Sequence, residues 1–320
     1  MTVRELRHRI EYVLFRLAAC VIEVLSVRQT VALARGVAWL MVHVAPRKKS
    51  RYNVAAENIR TALGEHLTDK EVQVWIYRMW VHLIRLVVET IQLPRKLSLR
   101  NCRESIVFRD RQEVVRQLCG DRPVFFLGGH FGSWELSVAT FGMFGFPMGV
   151  VARELDNPYL NEWFQRSREQ TGHKLYLKQG GFDGMVELVQ AGGHMALLID
   201  QDAGRRGVFV DFFGKPASTF KSIALMALEY KAVLVVGYGV RLPDDPLEAP
   251  WARFEIGCEE IIDTATIVAR DEVREITERF TKALERSILR APEQYFWVHR
   301  RWKTDAVTRK KTKEHEARAA

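Results

Sequence analysis

Beyond Asn101 the chain repeats one pattern: a short, mostly apolar run, a turn, and then a stretch with helical periodicity. The apolar runs fall at 123–127, 147–151, 175–177, 194–199, 233–240 and 254–256, and the helical stretches at 113–119, 134–144, 159–171, 182–190, 219–230 and 271–289. Near-continuous apolar runs belong to strands buried on both faces. Their alternation with helices predicts an α/β fold with a mixed, largely parallel sheet flanked by helices. Sheets of this kind bind ligands beyond the carboxyl ends of their strands. The residues that follow each apolar run are therefore the first place to look for chemistry.

The region before Leu99 reads as helical throughout. Residues 53–63 and 69–93 are periodic, and Pro94 is expected to stop the second helix. Thr68 with Glu71 three positions on forms a capping box. The organisation expected is an N-terminal helical annex over 1–98 that associates with a membrane, an α/β domain over 99–303, and a basic tail over 304–320. That tail is lysine-rich and free of aromatics, a composition that favours disorder. With 48% hydrophobic and 27% charged residues, 320 residues suffice for a sizeable core. The four cysteines, Cys20, Cys102, Cys119 and Cys258, are far apart and form no C-x-x-C pair. This excludes a disulfide framework or zinc knuckle and fits a reducing compartment.

The net charge of +9 is carried at the ends. Residues 1–60 hold eleven Arg/Lys against four Glu, a net of +7, and residues 299–320 hold a net of +5, which leaves the middle at −3. Basic ends suit an anionic partner surface, although a solvated tail accounts equally well for the C-terminal charges. The first fifty residues show no secretory signal. Their apolar stretch over 10–27 is broken by Glu11, Arg16 and Glu23, and no small-residue cleavage site follows. A second stretch over 37–45 carries His43. Neither reaches the roughly 18–20 apolar residues of a spanning helix. The helical spacing of Val13, Leu14, Leu17, Ala18, Val21 and Leu25 suits either an amphipathic helix lying in a membrane interface or a helix packed on the rest of the protein.

The most informative stretch is Phe125-Phe126-Leu127-Gly128-Gly129-His130-Phe131-Gly132-Ser133-Trp134-Glu135. An apolar strand runs into two glycines, then a histidine, then a serine placed to cap the next helix. Glu135 falls in the first helical turn, where the positive helix end favours a carboxylate. The spacing predicts that Glu135 meets the His130 imidazole, fixes its tautomer and stabilises the imidazolium formed on proton abstraction. A capping histidine with an exposed glutamate is the plainer alternative; the glycine-rich strand end favours the functional one. Three other polar residues sit at informative places. Arg153 follows the 147–151 run, Asp200 ends the 194–199 run, and Arg168 lies late in the 159–171 helix. Singly, each is equally well explained as a surface pair or a turn cap, and a surface pair is worth only about 0.3–0.5 kcal/mol.

Four motifs appear in order: Gly-Gly-His-Phe-Gly-Ser-Trp-Glu; Arg153 with Asn157-Pro158; Asp200-Gln201-Asp202 with Gly-Val-Phe-Val-Asp-Phe-Phe-Gly-Lys-Pro-Ala-Ser-Thr; and Tyr-Phe-Trp-Val-His-Arg-Arg-Trp-Lys. Taken together, the sequence resembles the bacterial lipid A biosynthesis acyltransferases, the lauroyl/myristoyl transferases of the lysophospholipid-acyltransferase-like superfamily, over residues 5–303. The resemblance implies a glycerol-3-phosphate-acyltransferase-like fold, with His130 as general base and Glu135 as its partner. Arg168 and Asp200 match further positions linked to activity, and Arg153 matches an arginine near the site. It implies no cofactor and no metal, and a place on the cytoplasmic face of the inner membrane, peripheral or monotopic. It further implies acyl transfer from a thioester, acyl carrier protein preferred over coenzyme A, to a hydroxyl of a lipid A precursor. A lysophospholipid or another glycolipid is the alternative acceptor.

On this reading His130 deprotonates the acceptor hydroxyl as it attacks the thioester carbonyl, with an arginine or the backbone N–H groups of Gly129–Phe131 facing the oxyanion. No G-x-S-x-G elbow exists, and the cysteines lie outside the motifs, so direct transfer is expected. Arg300, Arg301 and Lys303 are candidates for holding an anionic lipid group, or else they are cations snorkelling from a buried aromatic segment. Thr219 is expected to open a helix, either as a cap or presenting N–H groups to a phosphate. Two other classes fit parts of the pattern: a metal-dependent hydrolase using His130, Asp200 and Asp202, and a non-catalytic basic module. No HxH or HExxH pair supports the first, and no nucleic-acid-binding motif supports the second.

Overall fold

The computed structural model describes residues 2–177, 180–243 and 251–304. The tail expected to be disordered lies almost wholly outside the described residues. Four helices come first: α1 (Val3–Val24), α2 (Val27–His43), α3 (Tyr52–Leu63) and α4 (Asp69–Lys96). Thr68 and Glu71 form the predicted capping box, and Ser26 with Gln29 forms a second at the start of α2. Pro94 does not end α4. A proline at this point removes one ladder donor but has a helical φ, and the last turn continues until the Leu97 N–H reaches the Leu93 carbonyl at 3.0 Å.

The remaining chain runs α5 (Cys102–Ser105), β1 (Ile106–Phe108), α6 (Arg111–Leu118), β2 (Val124–Gly128), α7 (Trp134–Met143), β3 (Met148–Ala152), α8 (Pro158–Glu169), β4 (Lys174–Leu177), α9 (Phe182–Gln190) and β5 (His194–Leu198). It continues through β6 (Val208–Phe212), β7 (Lys215–Thr219), α10 (Lys221–Glu229), β8 (Val233–Arg241), β9 (Phe254–Asp263) and α11 (Glu272–Leu289). Seven strands form one sheet in the order β1-β9-β8-β2-β5-β3-β4, parallel except between β8 and β9. This is the mixed, largely parallel sheet that the alternation predicts. β6 and β7 form a separate antiparallel hairpin where no strands were expected, and β9 extends seven residues past its predicted end.

The two faces of the sheet build two different cores. On one face Phe125, Leu127, Met195, Leu234 and Val236 pack with Phe280, Leu284 and Ile288 of α11, and the same cluster continues into Ile59, Ile76 and Met79 of α3 and α4. The helical annex therefore shares its core with the sheet. On the other face Val124, Phe126, Ala196, Val233 and Val235 pack with Val114 and Leu118 of α6. β2 and β5 lie side by side at the centre of the sheet, and from their ends the chain departs in different directions. That is the switch point at which such sheets place their ligands.

α4 also carries a buried polar row into the centre of the molecule. The Arg241 guanidinium at the end of β8 donates to both oxygens of Glu89 and, at 2.9 Å, to Nδ1 of His82. All three side chains are buried. Burial, together with the neighbouring Arg241 and Arg85 charges, holds the His82 imidazole well below its ordinary pKa, so it accepts from Arg241 as a neutral ring. Gln294 then clasps the backbone of Arg241 from the other side, accepting from its N–H at 2.9 Å and donating to its carbonyl at 2.9 Å. Breaking a buried ion pair from one side leaves an uncompensated charge. Glu89→Ala is therefore expected to cost about 3–5 kcal/mol, read as a lower urea midpoint at an unchanged slope, with Glu89→Gln costing less. An unmoved midpoint in Glu89→Ala would show that the pair contributes nothing net.

Candidate active site

The site follows from one line of strand register. β2 and β5 run parallel with Gly128 opposite Leu198, so two residues further along both strands His130 stands opposite Asp200. The His130 imidazole donates from Nδ1 to Asp200 Oδ1 at 2.8 Å, and the His130 backbone N–H donates to Oδ2 at 2.8 Å. Asp200 is completely buried while the imidazole keeps 17% of its side-chain surface. Burial alone would push the Asp200 carboxyl up. The attraction of His130 and the hydrogen bonds from it outweigh that, and the group is held down at about 2. A carboxylate fixed on Nδ1 leaves Nε2 as the basic nitrogen.

Glu135 does not meet His130. It lies in the first turn of α7 as predicted, but its carboxylate receives Arg168 bidentately, Nε to Oε2 at 3.0 Å and Nη2 to Oε1 at 2.6 Å. Arg168 feels burial, which lowers its pKa, but the hydrogen bonds to Glu135 and the charge of that carboxylate more than compensate and the guanidinium is held above its ordinary value. The four sequence-predicted polar residues thus fall into two pairs, His130–Asp200 and Glu135–Arg168. Proximity along the chain favoured Glu135, whereas strand register supplies Asp200 from 70 positions away.

The loop between β2 and α7 is clamped on both sides. Gly132 has φ +58°, and a Cβ there would lie 1.9 Å from the Gly239 carbonyl oxygen, so both conformation and space require glycine. The Gly132 N–H donates to the Gln294 carbonyl at 3.0 Å, Ser133 N–H to the Gly239 carbonyl at 2.7 Å, and Phe296 N–H to the His130 carbonyl at 3.0 Å. Ser133 stands at the N-cap position of α7 as expected, but its side chain makes no capping bond. Its backbone groups hold the loop instead. The backbone N–H of His130 is already engaged by Asp200, which removes it from the donors expected to face an oxyanion.

The C-terminal aromatic segment turns out to be the brace for this loop. Tyr295, Trp297 and Val298 are buried, and Asn58 of α3 donates to the carbonyls of Trp297 and His299 at 2.7 and 2.6 Å. Arg301, expected to contact a lipid anion, is also buried; it donates to the Ser218 carbonyl at 2.6 Å and to Thr219 Oγ1 at 2.5 Å and lies over the Phe212 ring. Its charge is spent inside the protein, tying the end of the chain to the β6–β7 hairpin. Thr219 correspondingly closes β7 rather than opening a helix. Arg300 and Lys303 are exposed and stand outside the cavity lining, whereas Arg153 is exposed on the cavity rim.

His299 is the site residue whose place the sequence does not reveal. Its ring packs edge-on to His130 with centroids 4.5 Å apart, and His130, Asp200 and His299 each offer one ligand-type atom within 4.8 Å of the others. Burial pushes the His299 pKa down to about 4, with the His130 charge adding to this and Asp200 opposing it. Both Asp200 oxygens already accept from His130, so the trio is arranged to hold an imidazole. Asp202, the other carboxylate weighed for a metal, accepts instead from the Gly204 N–H and from Thr304. The Cys258 thiol is pushed up to about 12, chiefly by burial, which keeps it a poor nucleophile.

His130 opens onto a cavity of about 1130 Å³. Phe126, Phe141, Met148, Met195, Ile223 and Val235 contribute to its mostly apolar wall, and Glu135, Arg153 and Arg168 line it as well. Fold and site together define an α/β protein with a carboxylate-held histidine at the junction of a large apolar cavity. The chain belongs to the bacterial lipid A biosynthesis acyltransferase family, whose sequence profile matches residues 2–304. It is 31% identical over 190 residues to the lipid A biosynthesis palmitoleoyltransferase of Escherichia coli (strain K12), covering 58% of each chain. Identity to the lipid A biosynthesis lauroyltransferase of the same organism is 28% over 184 residues, 57% of each chain. Lipid A biosynthesis acyltransferase 2 of Shigella flexneri is 23% identical over 243 residues, 74% of this chain and 73% of that one. The chain thus spans less than two thirds of the length of the first two.

His299 gives a stability signature. A histidine held neutral in the folded state and free to charge at its ordinary 6.5 in the unfolded chain makes the unfolded state the better proton acceptor between about 4 and 6.5. Stability is expected to fall as pH drops through that window, and His299→Asn to flatten the fall. Urea denaturation of both proteins from pH 7 to 4 checks this; parallel curves would count against a neutral, half-buried His299.

Proposed function

We propose that the protein is an O-acyltransferase that moves a fatty acyl chain from an acyl thioester, with acyl carrier protein as the preferred donor, to a hydroxyl of a lipid A precursor. The observation that carries this reading is the His130–Asp200 pair opening onto an apolar cavity large enough for hydrocarbon. His130 Nε2 takes the proton of the acceptor hydroxyl as its oxygen attacks the thioester carbonyl, and Asp200 stabilises the resulting imidazolium. Collapse of the tetrahedral intermediate breaks the C–S bond, and the same proton passes from His130 to the departing thiolate. No acyl-enzyme forms. Arg168 spends Nε and Nη2 on Glu135, and its remaining Nη1 edge is the donor assigned here to the oxyanion. Arg153 on the rim, with the exposed Arg300 and Lys303, offers cations to an anionic head group or to the acidic carrier protein.

The N-terminal helices supply the membrane contact. Leu6, Ile10, Val13, Leu14, Leu17, Val21 and Val24 recur at helical spacing along α1 and are all exposed, and Trp39, Leu40 and Val44 extend the apolar surface across α2. Among the described residues no helix is long and apolar enough to cross a membrane. An exposed apolar stripe with arginines beside it suits attachment in the plane of the interface of the inner membrane, on its cytoplasmic face.

The test is incubation of the enzyme with acyl-acyl carrier protein and a lipid extract containing lipid A precursors, read by mass spectrometry for products heavier by one acyl group. Wild type is expected to acylate a lipid A species and His130→Ala to give none; acylation of a phospholipid instead would overturn the acceptor. Asp200→Asn is expected to lower kcat roughly 10²–10⁴-fold and to move the acidic limb of the pH–rate profile to lower pH. Glu135→Gln should leave that limb in place. A limb that moves only in Glu135→Gln would return the partner role to Glu135. In flotation with anionic vesicles, Leu14→Glu with Leu17→Glu is expected to release the protein from the membrane fraction.

A further inference from the structure

The cavity borders both cores of the protein, and these lie on opposite faces of the sheet. Phe126, Phe141, Leu118 and Cys258 line it and belong to the packing on the α6–α7 face. Leu127, Met195, Ile223, Met185 and Met226 line it too and belong to the packing on the face of α9 and α10. Neighbouring residues of β5 make the same point: Met195 and Ala196 face opposite ways, as the pleat requires, and both reach the cavity. One space can touch both faces past the carboxyl ends of β2 and β5, where the sheet stops. Gly128, Gly129, His130 and Gln201 line the cavity there. It therefore forks at His130 into two apolar arms.

The arms differ in character. The α6–α7 arm is walled by rings, Phe126, Phe141, Phe144 and Phe146, which give it a fixed outline, with Met148 and Cys258 also in its lining. The other arm is lined by three methionines, Met185, Met195 and Met226, whose unbranched thioethers adapt to what they touch, together with Ile223 and Phe220. We propose that the cavity holds two hydrocarbon chains at once, and that the methionine-lined α9–α10 arm receives a chain belonging to the lipid acceptor. This rests on the acyl-transfer reading. Joining a fatty acyl group to a lipid brings two tails to one atom, and the fork places the start of both arms at the base. The ring-walled arm then measures the chain being transferred, while the methionine-lined arm tolerates variation in the acceptor.

Lauric acid, which cannot react, tests the arms without turnover. Native mass spectrometry of the full chain in detergent is expected to show two laurates bound to wild type. Met226→Trp should retain one, and Cys258→Phe, in the lining of the other arm, should also retain one. Met185→Trp stands in for Met226→Trp if the latter has a thermal melt unlike wild type. In turnover, Met226→Trp is expected to raise KM for the acceptor at least tenfold with donor chain-length preference unchanged. Cys258→Phe should shift that preference to shorter acyl thioesters with acceptor KM unchanged. A single laurate on wild type, or a shifted donor preference in both variants, would overturn the two-arm proposal. Two laurates, each lost separately, with no acyl transfer to any lipid would leave the arms standing and overturn the acyltransferase reading instead.

Discussion

The alignment of β2 with β5 is the constraint on which the rest of the site depends. Parallel pairing sets Gly128 against Leu198, and that register alone brings a loop histidine and a buried aspartate together two residues later. A slip of one residue would turn each of these side chains to the other face. The core prevents such a slip, because Phe125 and Leu127 must reach α11 while Val124 and Phe126 reach α6. Packing on both faces of the sheet is thus what fixes the His130–Asp200 distance. The buried carboxylate is tolerable because both its oxygens accept from one residue.

The second requirement is that the loop carrying His130 stays where the strand leaves it. Gly132, Ser133 and His130 are each tied through the backbone to the C-terminal segment or to β8, so the clamp does not depend on loop side chains. Gln294 links that segment to Arg241, and Arg241 is held by Glu89 of α4. The helical annex therefore reaches the site through one continuous buried polar chain. A polar chain of this kind specifies one arrangement more sharply than apolar packing does, because any shift leaves a buried donor or charge unpaired.

Much of the fold could be read from the sequence because β2 and β3 are apolar throughout and β4, β5 and β8 each carry a basic residue only at one end, a pattern that needs no knowledge of their neighbours. β1, three residues long, was too short to stand out. The exceptions have physical reasons. The second half of β9 carries Glu259 and Glu260, which pair with Arg279, Arg286 and Arg290, so its polarity hides a strand. β7 contains Pro216 and Thr219, which read as a helix start, and only Arg301 from 82 positions away shows why Thr219 is buried. At the candidate site, His130 and Glu135 stand out from the glycine-rich strand end, and Arg168 and Asp200 only with the family resemblance beside their positions; the pairing of the four does not show in the sequence. Short sequence separation pointed to Glu135, while the real partner of His130 is set by long-range register. His299 was visible only as one member of an aromatic and cationic run, because nothing local distinguishes a brace from a binding strip.

The position of α8 links the exposed face of the annex to the chemistry. On one side α8 presents Arg168 to Glu135 beside the cavity. On the other it meets α1. Asn157 at its N-cap donates to the His8 carbonyl and to Glu11, Arg9 donates to Tyr159, and Phe15 packs edge-on to Trp163. The α1 residues that make these contacts alternate with those of its exposed apolar stripe, so one helix is shared between the outer surface and the arginine. Burying that stripe in any apolar phase would constrain α1, and α8 moves with α1 or loses its N-cap partners. The geometry of the Glu135–Arg168 pair is therefore set partly by what α1 rests on.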